Sequence, residues 1–357
     1  MKIGIIGLPR SGKSTVFQIL VPNSPPSNDP SRPRLGMTTV PDARIDFCSG
    51  IFKPQKTTYA TIELVDFAGV TKGSTSDKGF GAQAVAQMRN TDALMAVLRL
   101  FSIPGGDAPS PVSDFRALMD ELVLADLTVA EPRAERLAAD KKRGAKVDDR
   151  EIAAVAKVTA TLSDGKPAFR AELSPEEVAT LRGYGLLTLK PFVVVANCDE
   201  GGFKDADGPV SQAVATLAKD YPDYQFLRLS APVEEEIGQL EEADRKVFLD
   251  DLGLTEPARH RIIQSAFRLL DLISFLTVGE DEVRAWPIKR GMCAQKAAGR
   301  IHSDLERGFI RAEVSAWDDF FQHKGSSPEL KKAGLLRLEG KEYEVKDGDV
   351  INIRFSV

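Results

Sequence analysis

Apolar residues fall along this chain in short blocks that alternate between the continuous runs of buried strands and the three-to-four-residue recurrence of helices. Residues 3–6 are such a run, closed by Gly7, and Thr15-Val16-Phe17-Gln18-Ile19-Leu20 beyond a glycine-rich stretch predicts strand, loop, helix. Residues 21–34 carry five prolines, which fix φ and remove donors, so this segment reads as a mobile loop. Strand-like runs follow at 43–47 and 59–65, then a helix over 82–89. A continuous apolar run at 93–98 is of the kind a doubly covered parallel sheet requires. Leu118, Leu122, Ala125 and Val129 then recur at helical spacing, as do Ile152, Val155, Thr159 and Leu162. The segment between them, 131–150, mixes both charge signs and predicts an exposed antiparallel helical hairpin, either a solvated spacer or a partner-binding arm. The buried-strand pattern resumes at 191–196, with a helix over 210–220, a strand at 226–229 and a helix over 259–273. Short strands at 283–288, 309–314, 335–338, 341–345 and 350–355 close the chain. The expected architecture is an α/β sheet domain over 1–112 and 188–276, interrupted by a helical insertion over 113–187 and followed by a small β-rich domain over 277–357.

Length and composition leave room for several domains: 357 residues, 43% hydrophobic and 28% charged. A net charge of -5 makes no global case for nucleic-acid binding, so DNA is not an expected partner and any RNA contact needs a local patch. Cys48, Cys198 and Cys293 are far apart and, with three scattered histidines, show neither metal-ligand spacing nor a disulfide framework. No leader-like or membrane-spanning apolar stretch is visible, so a soluble, cytoplasmic protein is expected.

The chemistry begins at Gly7-Leu8-Pro9-Arg10-Ser11-Gly12-Lys13-Ser14, which fits G-x-x-x-x-G-K-[ST] and lies between a predicted strand and a predicted helix. Glycines let the backbone wrap an anion so that N–H groups and the helix N-terminus face it. Lys13 neutralises β and γ charge, and the Ser14 hydroxyl can ligate Mg²⁺. Asp66-Phe67-Ala68-Gly69 follows the second strand-like run, so the Asp66 carboxylate would emerge at the sheet's C-terminal edge facing Mg²⁺, with the Gly69 amide sensing the γ-phosphate. Val70 stands where many GTPases carry the glutamine that positions water, which predicts slow hydrolysis. Gly73, Gly79 and Gly81 would allow a nucleotide-dependent hinge or simply an ordinary flexible loop. After the 191–196 run comes Asn197-Cys198-Asp199-Glu200, where a guanine-specific protein carries Asn-Lys-x-Asp. Glu200 in place of that aspartate, and the missing lysine, tilt the reading towards ATP. Asp199, one place early, keeps GTP possible. Ser230-Ala231 would be the last loop closing over the base.

Together these residues resemble the Obg-like ATPase family, known in bacteria as YchF. The likeness covers Gly7-Leu8-Pro9, Gly12-Lys13-Ser14-Thr15, Val40-Pro41-Asp42, Asp66 through Val70 with Lys72-Gly73, and Ser230 through Glu236. It continues in Glu282-Val283-Arg284-Ala285-Trp286, Ile301-His302-Ser303-Asp304, Gly308-Phe309-Ile310-Arg311-Ala312-Glu313-Val314 and Val345-Lys346-Asp347-Gly348-Asp349, which look like that family's TGS domain, a ubiquitin-like β-grasp module. The resemblance implies a P-loop NTPase of the translation-factor class with a coiled-coil insertion and a TGS domain, a preference for ATP, and association with ribosomes or ribosomal RNA through the TGS and helical domains. By the same resemblance, residues 7–15, including Leu8, Pro9, Arg10, Ser11 and Thr15, hold phosphates and Mg²⁺, and Lys13, Asp66 and Gly69 serve hydrolysis. Asn197 and Glu200 flank the base. Two departures stand out. Arg10 and Ser11 replace the family's asparagine and valine, so Arg10 either supplies a fixed charge where related proteins hold a monovalent cation, or points into solvent. The 22–34 loop also lacks the family's switch threonine, which puts hydrolysis in more doubt than binding. Lys289, Arg290, Lys296, Arg300, Arg307 and Arg311 concentrate positive charge in the last domain, as an RNA-contacting or a merely solvated face. His260, His302 and His323 read as structural or surface residues. A slow ATPase switch, a GTPase and a nucleotide-binding module without hydrolysis all remain compatible with the residues.

Overall fold

The computed structural model describes residues 1–22, 24, 33–67, 81–205 and 207–356. The chain divides into two compact units, residues 1–36 with 63–262, and residues 37–62 with 263–357. Strands are β1 (Lys2–Ile6), β2 (Arg34–Thr39), β3 (Lys56–Thr58), β4 (Thr61–Asp66), β5 (Ala93–Arg99), β6 (Phe192–Cys198) and β7 (Gln225–Ser230). They are followed by β8 (Leu272–Val278), β9 (Glu282–Lys289), β10 (Phe309–Ser315), β11 (Arg337–Glu339) and β12 (Val350–Phe355).

One six-stranded sheet runs β2-β4-β1-β5-β6-β7. β1 pairs parallel with β4 and β5, and β6 pairs parallel with β5 and β7. Every residue of β6 and nearly all of β5 are buried, as a sheet covered on both faces demands. Parallel strands put all their C-terminal ends on one edge, where ligands of such sheets collect. That edge carries residue 7 after β1, Asp66 at the end of β4, Asn197 near the end of β6 and Ser230 at the end of β7.

The two periodic segments of the insertion are helices Pro111–Lys142 and Asp149–Ser163. The first runs further than its apolar pattern suggested, so most of the charged 131–150 stretch is helix and only the residues near 143–148 turn. Val123, Ala130, Leu137, Val155, Val158 and Leu162 give the insertion its own core. Buried Asp126 accepts hydrogen bonds from Leu187 N (2.8 Å), Thr188 N (2.8 Å), Thr188 Oγ1 (2.8 Å) and Arg89 Nη1 (3.1 Å), so this carboxylate is fully used in holding the insertion's return to the sheet.

The other sheet runs β11-β10-β12-β8-β9-β3. β8 and β9 are antiparallel, as are β10 and β12, while β12 pairs parallel with β8 and β3 parallel with β9. Helix Ala294–Ile301 contributes Ala294, Ala297 and Ala298 to a core with Phe275, Ile288 and Val314.

Three expectations are corrected. Residues 43–47 are not a strand but the start of helix Ala43–Phe52. Asp42 caps it by accepting the Arg44 N–H at 3.0 Å, and Ile45 and Cys48 bury one face. The period-2 alternation of Ala43, Ile45 and Phe47 was too short to outweigh that cap. The helix expected over 259–273 ends at Leu269, and β8 starts at Leu272, because apolar residues run on without a polar break. Residues 341–345 form turns and a single bridge, Cys293 to Glu344, rather than a strand.

Candidate functional site

The phosphate loop is shaped by left-handed backbone at alternate residues, φ 63° at Arg10 and φ 81° at Gly12. Such alternation turns successive N–H groups towards a common point, a concavity suited to an anion. The Ser11 N–H donates to Leu8 O at 3.2 Å, and helix Lys13–Leu20 begins with the Val16 N–H donating to Gly12 O at 2.9 Å. Glycine is obligatory twice. A Cβ at Gly7 would lie 2.6 Å from Val97 O, and one at Gly12 would lie 2.2 Å from Asn197 Nδ2. Arg10 adopts its positive φ without that freedom, at a conformational cost of about 1 kcal/mol or somewhat more.

At the mouth of this loop Lys13 Nζ lies 3.2 Å from Asp66 Oδ1, and Ser14 Oγ donates to Asp66 Oδ2 at 3.3 Å. β4 positions the carboxylate, which is only 5% exposed. Asp66 Oδ1 is buried and has no hydrogen-bond donor other than the lysine charge facing it. Hard oxygen donors from one hydroxyl and one carboxylate, with capacity to spare, fit Mg²⁺ held jointly by protein and phosphate. Among the described residues no cluster of three or more His, Cys, Asp or Glu could hold a metal by itself, which agrees with a phosphate-shared ion.

Asn197 reaches back to the loop, its Nδ2 donating to Ser11 O at 3.1 Å while its buried Oδ1 has no partner. Ser11 Oγ and Ser230 Oγ are likewise buried without partners, so three unsatisfied polar atoms belong to the loop and the two strand ends beside it. Register sets Cys198 opposite Ser230, which places Asn197 next to Ser230-Ala231. Asp199 Oδ1 accepts the Gly202 N–H at 2.8 Å and caps the short helix Glu200–Lys204, so this carboxylate is committed to backbone. Glu200 is exposed and paired with Lys204 at 2.7 Å. Burial pushes the Cys198 thiol up to about 11, so it is a packed, protonated group rather than a nucleophile.

The structure thus brings Lys13, Ser14 and Asp66 together, and Ser11 with Asn197. Leu8, Pro9, Arg10 and Ser11 line a cavity of about 270 Å³ that also meets Arg99 and Asp107. Gly69 and Val70, with Lys72, Gly73 and Gly79, lie outside the described residues, as does most of the 22–34 loop. Thr38 and Thr39 are the last residues of β2. Two features escaped the sequence reading. Phe101, just past β5, has its ring edge 3.6 Å from where a Gly12 Cβ would sit, and its only signal was an aromatic following a buried run. Glu234, one helical turn after Ser230, is buried and accepts from Ala258 N (2.7 Å) and Arg259 N (3.1 Å). Burial raises its pKa.

A parallel sheet with a phosphate loop after β1, an acid at the end of β4 and an asparagine near the end of β6 defines a P-loop nucleotide-binding protein. The YchF-GTPase_C family model, described as a protein of unknown function (DUF933), matches residues 272–356. The chain is 38% identical to the ribosome-binding ATPase YchF of Pasteurella multocida (strain Pm70) over 364 residues, covering 100% of this chain and 99% of that protein. It is 36% identical to the ribosome-binding ATPase YchF of Bacillus subtilis (strain 168), covering 99% of each. The solved structure of the Schizosaccharomyces pombe YchF GTPase is 28% identical and superposes with a TM-score of 0.84 over 99% of this chain and 97% of that one. The chain belongs to the YchF family.

Proposed function

We propose that this protein binds ATP with Mg²⁺, hydrolyses it slowly, and acts as a nucleotide-dependent switch on the ribosome in the cytoplasm. The observation that carries the reading is the convergence of Lys13, Ser14 and Asp66 at the mouth of a left-handed phosphate loop. In it, backbone N–H groups of residues 8–15 hold the phosphates and Lys13 leaves Asp66 to neutralise the β and γ oxygens. Ser14 and Asp66 would hold Mg²⁺, which when bound neutralises charge developing on those oxygens. Gly69 is proposed to sense the γ-phosphate. The proposed base site is Asn197, Ser230 and Ala231 with the Phe101 ring. ATP is favoured over GTP because guanine needs a carboxylate for its N1–H and 2-amino donors. Asp199 is spent on a helix cap, and Glu200 is paired with Lys204. The names of the relatives, ribosome-binding ATPase, support both the nucleotide and the partner.

Ribosome contact is assigned to the helical insertion, 113–187, and the TGS domain, 277–357, which flank the two parts of the nucleotide domain, 1–112 and 188–276. Within the TGS domain the basic residues are not equal. Arg290 is paired with Asp271, Lys296 with Glu306 and Arg307 with Asp304, and Lys289 donates to Leu270 O. Exposed Arg300 and Arg311 make no ion pair with a described residue, and they are the ones proposed to meet RNA phosphates. Among the described residues no helix is long and apolar enough to cross a membrane. Calorimetric titration of nucleotide-free protein with ATP and with GTP in Mg²⁺, followed by phosphate release, tests the reading. Tighter ATP binding with slow release is expected. Preferred GTP would overturn the base assignment, and ATP held unhydrolysed for hours would leave binding but remove the enzyme.

A further inference from the structure

Arg10 is the one residue of the phosphate loop whose chemistry the proposed function leaves unused. Its φ of 63° lies in the region glycine or asparagine occupies easily and a long side chain does not. Backbone strain of this kind persists where something gained at the site outweighs it. The gain is not a contact within the protein, for exposed Arg10 makes no hydrogen bond or ion pair with any described residue. Two acids, Asp107 and Asp114, line the same cavity, yet neither is ion-paired with it, and the neighbouring Arg99 is turned away, donating to Asp107 O (2.9 Å) and Ala108 O (3.3 Å). An unpaired guanidinium is therefore mounted three residues before Lys13, on the segment that wraps the polyphosphate.

We propose that the Arg10 guanidinium is a γ-phosphate ligand supplied in cis, which discriminates ATP from ADP and neutralises charge at the exposed end of the polyphosphate. The proposal rests on the ATP-binding reading above. Three considerations fix the end of the ligand concerned. Backbone N–H groups and Lys13 already serve the β and γ oxygens from within the loop. The Arg10 side chain stands on the solvent side of that loop, where the distal phosphate emerges. The terminal phosphate also carries the most charge, and the planar fork of arginine suits two of its oxygens at once. A charge-assisted pair of this kind is worth on the order of tenfold or more in affinity.

The test compares the parent protein with Arg10→Gly, which removes the charge but accepts the left-handed backbone, and Arg10→Lys, which keeps a point charge. Dissociation constants for ATP and ADP are measured by calorimetry with Mg²⁺ at two salt concentrations, and melting temperature confirms that each variant is folded. Arg10→Gly is expected to weaken ATP about tenfold while changing ADP less than about threefold, to flatten the salt dependence of ATP binding, and to keep the parent's melting temperature or raise it. Arg10→Lys should recover part of the ATP affinity. An ATP-to-ADP affinity ratio in Arg10→Gly within about threefold of the parent overturns the proposal and returns Arg10 to solvent. A parent that binds ATP with an unchanged ratio in the variant removes only this inference, whereas a parent that binds no ATP removes the functional reading and this inference together.

Discussion

Replacing Gly12 by alanine should do more damage than its size suggests, and the damage should depend on Asn197. A methyl at position 12 would sit 2.2 Å from Asn197 Nδ2, a separation no real Cβ adopts, so the amide must withdraw. Withdrawal breaks its bond to Ser11 O, 3.1 Å long and buried, and leaves that carbonyl without a donor. An unmet buried group costs about 1–3 kcal/mol. Alanine at φ 81° adds about 1 kcal/mol of conformational strain. Gly12→Ala should therefore destabilise by about 2–4 kcal/mol. Asn197→Ala alone loses the same bond without the clash, about 1–3 kcal/mol. In the double variant the clash is gone and the bond can be lost only once, so the combined effect should fall short of the sum by at least about 1 kcal/mol. Urea unfolding followed by circular dichroism on the four proteins supplies the cycle. Additivity within about 0.5 kcal/mol would show that Asn197 and the loop glycine do not share one contact, and the argument for that tether would fail.

Other outcomes follow from single groups. Asp126→Asn should cost about 3–5 kcal/mol, because one carboxamide oxygen cannot serve donors that include Arg89, and loss of helical circular dichroism at lower urea would report it. Glu234 titrates above the ordinary carboxylate value of 4.5 because it is buried, so the folded state holds its proton more tightly than the unfolded state. Its contribution to stability should be greatest in acid and decline as pH rises from 4.5 through the raised folded value, and Glu234→Gln should flatten that decline in a pH series of melting temperatures. Burial pushes the Cys48 thiol up to about 12 and Cys198 up to about 11. Iodoacetamide at pH 8 should then label half-buried Cys293 in the folded protein and spare the other two, as read by mass spectrometry.

The nucleotide-binding sheet was legible because its signals are local. β5 and β6 are unbroken apolar runs, and the phosphate loop has a fixed spacing between a strand and a helix. Elements defined by distant partners were not. β3 is three polar residues, Lys-Thr-Thr, made a strand only by pairing with β9, more than two hundred positions further on. Helix Ala43–Phe52 was hidden by a brief alternation, and β8 by its continuity with the helix before it. At the site, the motif located Lys13, Ser14, Asp66 and Asn197 but could not tell that Asp199 caps a helix or that Glu200 turns to Lys204. Those depend on which backbone N–H groups the carboxylates meet. Phe101 lay outside any motif, and only folding brings it beside Gly12.

The second unit takes its edge strand and one of its helices from residues 37–62, and everything else from 263 onwards. During synthesis the early piece must therefore wait, unsatisfied, while the whole nucleotide-binding sheet is made, and its loop closes only when the last strands emerge. A fragment cut to the C-terminal family boundaries would lack β3 and leave the β9 edge bare, ready to pair with another copy. Those boundaries mark a region of shared sequence, whereas the unit that must fold also includes a segment encoded near the start of the message.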